Sequence, residues 1–393
     1  MQAVDVAIVG AGPAGLCLAR SLAGSGLSVA LVEPQPRQAL AQAAFDGREI
    51  ALTHASRQIM ENLGLWQRID ADQISPLRSA KVMNGSSPFA LSFVAGRGQA
   101  RDLGWLVPNH LIRRAAWEAV QEQVGLELLD GSSVTAIDAG DDRNVLTLSC
   151  GRQLSARLVA AADSRFSATR RMMGIGAQMR DFGKSMLVCR LRHELPHQHA
   201  AWEWFGYGRT LALLPLNGDC ASAVITLPPR RIQALMEMDD AGFGAEVSAL
   251  FEHRLGAMHP VATRHAYPLV GVYARRFVGQ RYALVGDAAV GMHPVTAHGF
   301  NFGLQSQQRL ATAVCAAAAA GKDIGAPALL AGYERRHRLA TRPLYEATNA
   351  IAALYNDDRL PARVLRNAAL RVANGVAPFR QLIAAHLTQS AAA

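Results

Sequence analysis

Apolar residues in this chain follow two rhythms. Short runs of Val, Ile, Leu and Ala bounded by Gly, Pro or Ser predict strands, and stretches with apolar positions every three or four residues predict helices. Residues 4–9 form the first strand run, and an Ala/Leu helix follows to about Ser25, where Gly26 ends it. A second strand covers 28–32, with Glu33 at its end. Residues 71–100 and 176–268 are β-rich, with apolar runs at 185–191, 210–214 and 221–227. Near the other end, 282–285 is an apolar strand closing on Gly286-Asp287, and a long helix runs to about Ala320. Residues 361–376 return to helical spacing: Leu365, Ala369, Val372 and Val376 form one stripe, and Arg363, Arg366 and Arg371 fall opposite. No internal repeat is present. Strand, helix and strand at the start, with β-rich segments between, predict an α/β protein with a second, mostly antiparallel sheet.

The link between the first strand and its helix carries chemistry. It reads Gly10-Ala11-Gly12-Pro13-Ala14-Gly15, a G-x-G-x-x-G between a strand and a helix, with an acid at the end of the next strand. Gly10 allows the tight turn, Gly12 lets a pyrophosphate approach the backbone, and Gly15 lets helix and strand pack closely. The helix start, with Ala14 in its first turn, offers N–H groups and a positive dipole end to phosphates. Glu33 can accept from ribose hydroxyls and disfavours a 2′-phosphate.

Composition narrows the class. At ~150 residues per domain, 393 residues make two domains or one with an insertion. Half the residues are hydrophobic and 18% are charged, which excludes wholesale disorder. No apolar run reaches the ~18 residues of a membrane span, and the N-terminus lacks the basic flank of a signal peptide. Five scattered cysteines, never as C-x-x-C, argue against disulfides and zinc and for a reducing compartment, the cytoplasm. No metal site is expected: His193, His197 and His199 crowd one segment without an acid or Cys partner, which predicts a wet loop. The net charge is +9, and the chain from Arg335 onward holds six of those charges. A basic tail suits an acidic partner or an anionic membrane surface; no nucleic-acid motif accompanies it.

The glycine loop alone leaves an NAD dehydrogenase open. The second landmark decides for a flavin: Gly286-Asp287 at a strand end is followed by His293-Pro294-Val295-Thr296-Ala297-His298-Gly299-Phe300-Asn301 and a long helix. A flavin dinucleotide needs such a second anchor for its ribityl chain and ring.

With these residues in view, the sequence resembles the FAD-dependent aromatic hydroxylases with a single Rossmann domain, the class A flavin monooxygenases. Within them it is similar to the ubiquinone-biosynthesis hydroxylases. The glycine loop with Glu33, the middle segment Asp163-Ser164-Arg165 and the Gly286-Asp287 to His293-Pro294 stretch fall in family order. Residues 46–52, containing Arg48, resemble the segment whose arginine reaches the FAD phosphates, and Tyr267-Pro268-Leu269 resembles the strand returning from the substrate domain. Three places depart from the pattern. Ser164 stands where the family has Gly, Thr296-Ala297-His298 replaces Ala-Gly-Gln, and Val290 replaces a histidine. The Ala-His-Gly version is similar to a bacterial subgroup of demethoxyubiquinone hydroxylases.

The resemblance implies a discontinuous Rossmann-type FAD-binding domain (1–70, 101–175, 269–345), an interleaved substrate domain (71–100, 176–268) and a helical tail (346–393). It implies non-covalent FAD, NADH or NADPH as co-substrate, and O2, acting through a C4a-hydroperoxyflavin on a polyprenylated phenol or quinol. Gly10, Gly12, Ala14, Gly15, Glu33, Arg48, Asp163, Gly286 and Asp287 then fall in the cofactor site. The amides of Gly299, Phe300 and Asn301 open a helix toward the flavin pyrimidine edge. His293, Pro294 and His298 lie at the ring, with His298 expected to be neutral at the helix start. Arg113 stands equally as an FAD contact or a solvated helix arginine.

Alternatives remain at this level. The cluster of Trp202, Trp204, Phe205 and Tyr207 is either packing or an apolar substrate wall. The tail either packs on its own domain, docks to an anionic inner-membrane surface, or meets other quinone-biosynthesis enzymes. The activity competes with hydroxylation of a small soluble phenol and with a flavoprotein that does not hydroxylate.

Overall fold

The computed structural model describes residues 1–85, 90–94, 102–206, 208–356 and 359. The apolar run at the N-terminus becomes the central strand Gln2–Val9. It pairs in parallel with Val29–Glu33 on one side and Gln153–Ala161 on the other. Leu126–Asp130 extends the sheet beyond Val29–Glu33, and Tyr282–Leu284 extends it beyond Gln153–Ala161. The eight-stranded sheet thus joins residues from both ends of the chain. Its central parallel strands, Gln2–Val9, Val29–Glu33, Gln153–Ala161 and Tyr282–Leu284, are mostly buried, which is why they read as continuous apolar runs. Val6, Ile8, Leu31, Leu158 and Leu284 lie in its core with Leu16, Ile112 and Leu304 of the covering helices.

The first helix, Pro13–Ser21, stops a turn before the expected Ser25. Gly24 and Gly26 both have left-handed φ and turn the chain toward Val29. The long helix Gly299–Ala319 lies beside it, and Ser21 Oγ donates to Gln307 Oε1 at 2.7 Å. The last described helix, Pro327–Asn356, passes through Pro343 and crosses residue 346 unbroken. The basic stripe at 361–376 lies outside the described residues.

The second sheet has nine strands and is mostly antiparallel. Ala177–His193 pairs with Cys220–Leu227, which pairs with Thr210–Pro215, which pairs with Ala200–Phe205; Ala200–Phe205 runs parallel to Ser79–Asn84. Alternation puts Leu187, Cys189, Leu211, Ala223 and Trp204 in a second core under the helices Pro229–Glu237 and Asp240–Leu250. Trp202 packs against the same core, so the two tryptophans are packing residues. Tyr207 lies outside the described residues. A small sheet of Glu49–Leu52, Gly104–Pro108 and Ser75–Leu77 sits between the two larger ones in the chain.

Candidate functional site

Four strand ends build one crevice. Gly10 N donates to Val32 O at 2.8 Å, Ala162 N to Val9 O at 2.7 Å and Val285 N to Ala161 O at 2.8 Å. The loops that follow these strands therefore leave the sheet as neighbours, at the carboxyl edge where open α/β sheets bind ligands.

The three loop glycines have distinct reasons. Gly10 has φ +103°, and a Cβ there would stand 2.6 Å from Ala162 O. A Cβ on Gly15 would stand 1.9 Å from Gly10 O. Gly12 has nothing within 4 Å of its would-be Cβ, and it caps Pro13–Ser21 without a side-chain hydrogen bond. The positive end of the helix thus opens into free space, a cradle that fits a pyrophosphate. Glu33 braces the loop: Oε2 accepts from Ala11 N at 2.6 Å and Oε1 from Gln35 N at 3.0 Å. A carboxylate has about four acceptor sites, so capacity for ribose hydroxyls remains.

The opposite wall comes from the far end of the chain. Gly286 has φ +63°, and its amide donates to Ser306 Oγ at 2.9 Å. Asp287 is held by Arg165 Nη2 at 2.9 Å, while Arg165 Nη1 donates to Val270 O. The buried Arg170 donates to Ala288 O at 2.9 Å. Arg165 of the middle segment and Arg170 of the short helix Ala168–Met172 after it thus clamp the Gly286–Ala288 turn. Asp163 acts inside its own segment, accepting from the Ser167 hydroxyl and from both the amide and hydroxyl of Thr169.

Gly299, Phe300 and Asn301 begin Gly299–Ala319, whose N-cap, His298, makes no side-chain cap bond. Both ends of the Asn301 amide are engaged: Nδ2 donates to Ala51 O and Ala297 O, and Oδ1 accepts from Thr53 N. It welds the helix start to the strand Glu49–Leu52 and its following residue. His293 Nδ1 accepts from Val295 N at 3.2 Å, and its ring meets Phe182 edge-on at 4.6 Å. Burial, with Lys184 and Arg180 nearby, pushes its pKa down to about 4, so the ring is neutral with its proton on Nε2. His298 Nδ1–H donates to the Thr296 carbonyl. The ring borders a cavity of about 360 Å³ lined also by Thr53, Asn301, Phe302, Arg309 and Pro343.

Arg48 and Arg113 converge on Asp46. Arg48 Nη2 is 2.6 Å from Asp46 Oδ2, Asn109 Nδ2 donates to the same oxygen at 2.7 Å, and Arg113 Nη1 lies 4.0 Å away. Burial would raise the Asp46 pKa, but the hydrogen bond and charge of Arg48, with Asn109, hold it below the usual range. Arg113 therefore belongs to a charged cluster with Arg48.

One expectation is corrected. The histidine segment is not a wet loop: His193 and His197 are buried, and His197 Nε2–H donates to Leu216 O at 2.8 Å. Among the described residues no group of side chains is arranged to hold a metal. Sequence reasoning missed Asp46 and Arg170, and quoted Arg165 without a role. Asn109 and Arg113, Ala288 and Asp287 lie far from them along the chain, so no local spacing marks these pairings.

Comparison with known proteins agrees with this geometry. The FAD binding domain family matches residues 3–348. The chain is 47% identical to the ubiquinone hydroxylase UbiM of Neisseria meningitidis, covering 98% of this chain and 84% of that one. It is 34% identical to the ubiquinone hydroxylase UbiL of Rhodospirillum rubrum (98% and 89% covered). It is 30% identical to the 3-demethoxyubiquinol 3-hydroxylase of Escherichia coli (95% of each). Among solved structures, the p-nitrophenol 4-monooxygenase PnpA of Pseudomonas putida superposes with a TM-score of 0.79 at 18% identity, covering 98% of both chains. At that identity the likeness speaks for the fold alone.

Proposed function

This chain belongs to the FAD binding domain family as an FAD-dependent monooxygenase, and we propose that it hydroxylates the ring of a polyprenylated phenol or quinol in ubiquinone biosynthesis. The observation that carries the reading is the meeting of Gly10–Gly15, Asp287 and the Gly299 helix start in one crevice, opposite a second sheet. The ubiquinone hydroxylase relatives support the substrate class.

FAD, when bound, accepts hydride from NADH or NADPH and activates O2. The chain's own residues bind and orient. Gly10, Gly12, Ala14 and Gly15 receive the pyrophosphate at the helix end, and Glu33 receives the ribose. Arg48 and Arg113, pre-set by Asp46, would pair with the phosphates of bound FAD. Asp287, fixed by Arg165, receives the ribityl hydroxyls. The amides of Gly299, Phe300 and Asn301 stabilise negative charge at the pyrimidine edge. Pro294 has no N–H and offers only a carbonyl; with the neutral His293 and with His298 it would line the ring side of bound FAD and keep bulk water out.

Among the described residues no helix is long and apolar enough to cross a membrane. A polyprenyl substrate is membrane-borne, so the basic tail from Arg335 onward suits an anionic inner-membrane surface from the cytoplasmic side, or a complex of quinone-biosynthesis enzymes. The deciding experiment is quinone profiling of a deletion strain with ¹⁸O2 labelling of the complemented one. The accumulated intermediate names the missing oxygen, and a wild-type quinone profile in the deletion strain overturns the reading.

A further inference from the structure

The nine-stranded sheet has two unlike faces. One packs under Pro229–Glu237 and Asp240–Leu250, with Leu187, Leu211, Ala223 and Trp204 in that core. The other turns to the cofactor half. On it Val188 stands over Gly47, whose would-be Cβ lies 2.9 Å from Val188 Cγ2. Arg190 pairs with Glu49 at 2.7 Å, Tyr267 donates to Asp46 O at 2.7 Å, and Phe205 stacks on Tyr355 at 3.7 Å.

Strand register sets Val188, Val224, Ala212, Glu203 and Val82 in one row across this second face. The row starts above the Asp46-Gly47-Arg48 turn, and Glu203 lies three strand spacings along, about 14 Å. Every other member of that row is Val or Ala. Trp202 and Trp204, its neighbours in the strand, point into the opposite core. Glu203 therefore projects a carboxyl toward the cofactor half from an apolar ceiling.

Among the described residues Glu203 forms no hydrogen bond or ion pair, and burial alone pushes its pKa up to about 8. Protein surrounds it, yet the side chain is only half-buried and part of its surface stays open. An unpaired carboxyl in apolar surroundings costs stability, and such groups concentrate at functional sites.

We propose that Glu203 contacts the ring substrate and takes the proton from its phenolic hydroxyl. This rests on the ring-hydroxylase reading above. The O–H bond breaks, its electron pair stays on oxygen and spreads into the ring, and the proton passes to the Glu203 carboxylate. The ortho and para carbons become better nucleophiles, and one of them bonds to an oxygen atom from O2. NAD(P)H supplies the two electrons that take the second oxygen atom to water. The ring carbon loses its hydrogen as a proton on rearomatisation, and Glu203 returns its proton to the product oxygen. A base with a raised pKa is better matched to a phenol than an ordinary carboxylate.

The test uses the holoenzyme with 2-geranylphenol and its O-methyl ether as probes, counting ¹⁸O in product. The assay runs above pH 8, where Glu203 is ionised, and Glu203→Gln keeps the size of the side chain but cannot accept the proton. It should retain FAD and NAD(P)H oxidation, lower kcat on the phenol about 100-fold, and leave KM within about threefold. The slow hydroxylation of the ether, which has no proton to give, should not change. Equal loss on both probes, an unchanged rate on the phenol, or loss of FAD in the variant overturns the proposal in favour of a structural role. A wild type that oxidises NAD(P)H without labelling the phenol overturns the hydroxylase reading and this inference together. A labelling wild type with an indifferent variant overturns this inference alone.

Discussion

A Cβ on Gly286 would stand 2.9 Å from the Cβ of Ala14, so the loop that completes the crevice rests directly on the helix that begins it. The same close fit separates two kinds of glycine. Gly15→Ala drives a methyl into the Gly10 carbonyl and should lower the melting temperature of the FAD-free protein by several degrees, as overpacking costing about 1–3 kcal/mol does. Gly12→Leu meets open space and should leave that melting temperature nearly unchanged while yielding a colourless protein. Flavin absorbance and thermal melts of both variants check this. A Gly12→Leu protein with full FAD content contradicts the pyrophosphate assignment.

Ser164 and Ala297 occupy two positions where the resembling family has glycine, and both hold left-handed φ, +74° and +53°. That conformation costs a non-glycine residue roughly 1–2 kcal/mol, against about 0.5–1 kcal/mol of extra unfolded-state entropy for glycine. Ser164→Gly and Ala297→Gly should each stabilise the protein by a few tenths to about 1 kcal/mol. Denaturant midpoints at constant slope measure it, and destabilisation by either change contradicts the argument.

Acid sensitivity follows from two neutral histidines. Burial, with Lys184 and Arg180, lowers His293 to about 4, and burial, with Arg309, lowers His337 to about 3. An unfolded histidine titrates near ~6.5. From there downward the unfolded chain binds more protons, so stability falls as pH falls. The loss levels off below about 4 for His293 and about 3 for His337. His293→Asn keeps an N-cap acceptor and removes the titration. It should recover about 1–3 kcal/mol of the stability lost between pH 6.5 and 4. Urea titrations at those two pH values test the difference.

His298 is tied back to Thr296 and borders the cavity next to Asn301. His298→Ala should keep FAD and still oxidise NAD(P)H, but release more hydrogen peroxide per hydroxylated product. His298→Gln should recover part of the coupling, because the amide also offers a donor and an acceptor. Unchanged peroxide yield in the alanine variant would leave His298 a helix-start residue only.

Truncation after Tyr355 preserves the Phe205–Tyr355 stack while removing the basic stripe at 361–376. Flotation with phosphatidylglycerol vesicles should fall on truncation, and binding of the full chain should weaken with salt. Salt-insensitive binding, or none by the full chain, rejects the membrane surface.

What the sequence reveals is what chain neighbours determine. The glycine loop, Glu33 and the Gly286-Asp287 strand end are legible because turn, helix cap and strand end are local devices. The Trp202 and Trp204 orientations follow once alternation is combined with the core. The Arg165–Asp287 clamp and the Asn301 weld to Ala51 and Thr53 are not legible, since both depend on which distant strands become neighbours. Glu203 is the sharpest case. Its position in an apolar row is a property of five strands in register, and its own flanking residues advertise only packing.

Because Gly10 and Glu33 emerge from the ribosome first and Gly286 to Ser306 last, the crevice has a birth order. At roughly 5–20 residues per second, tens of seconds separate its two walls. During that interval the strand Gln2–Val9 first lacks Gln153–Ala161, Gln153–Ala161 then lacks Tyr282–Leu284, and the first helix lacks the helix that covers it. The nascent chain therefore cannot retain FAD. Cofactor capture is the closing act of biogenesis, and cells short of riboflavin should accumulate a finished but gaping chain that proteases recognise.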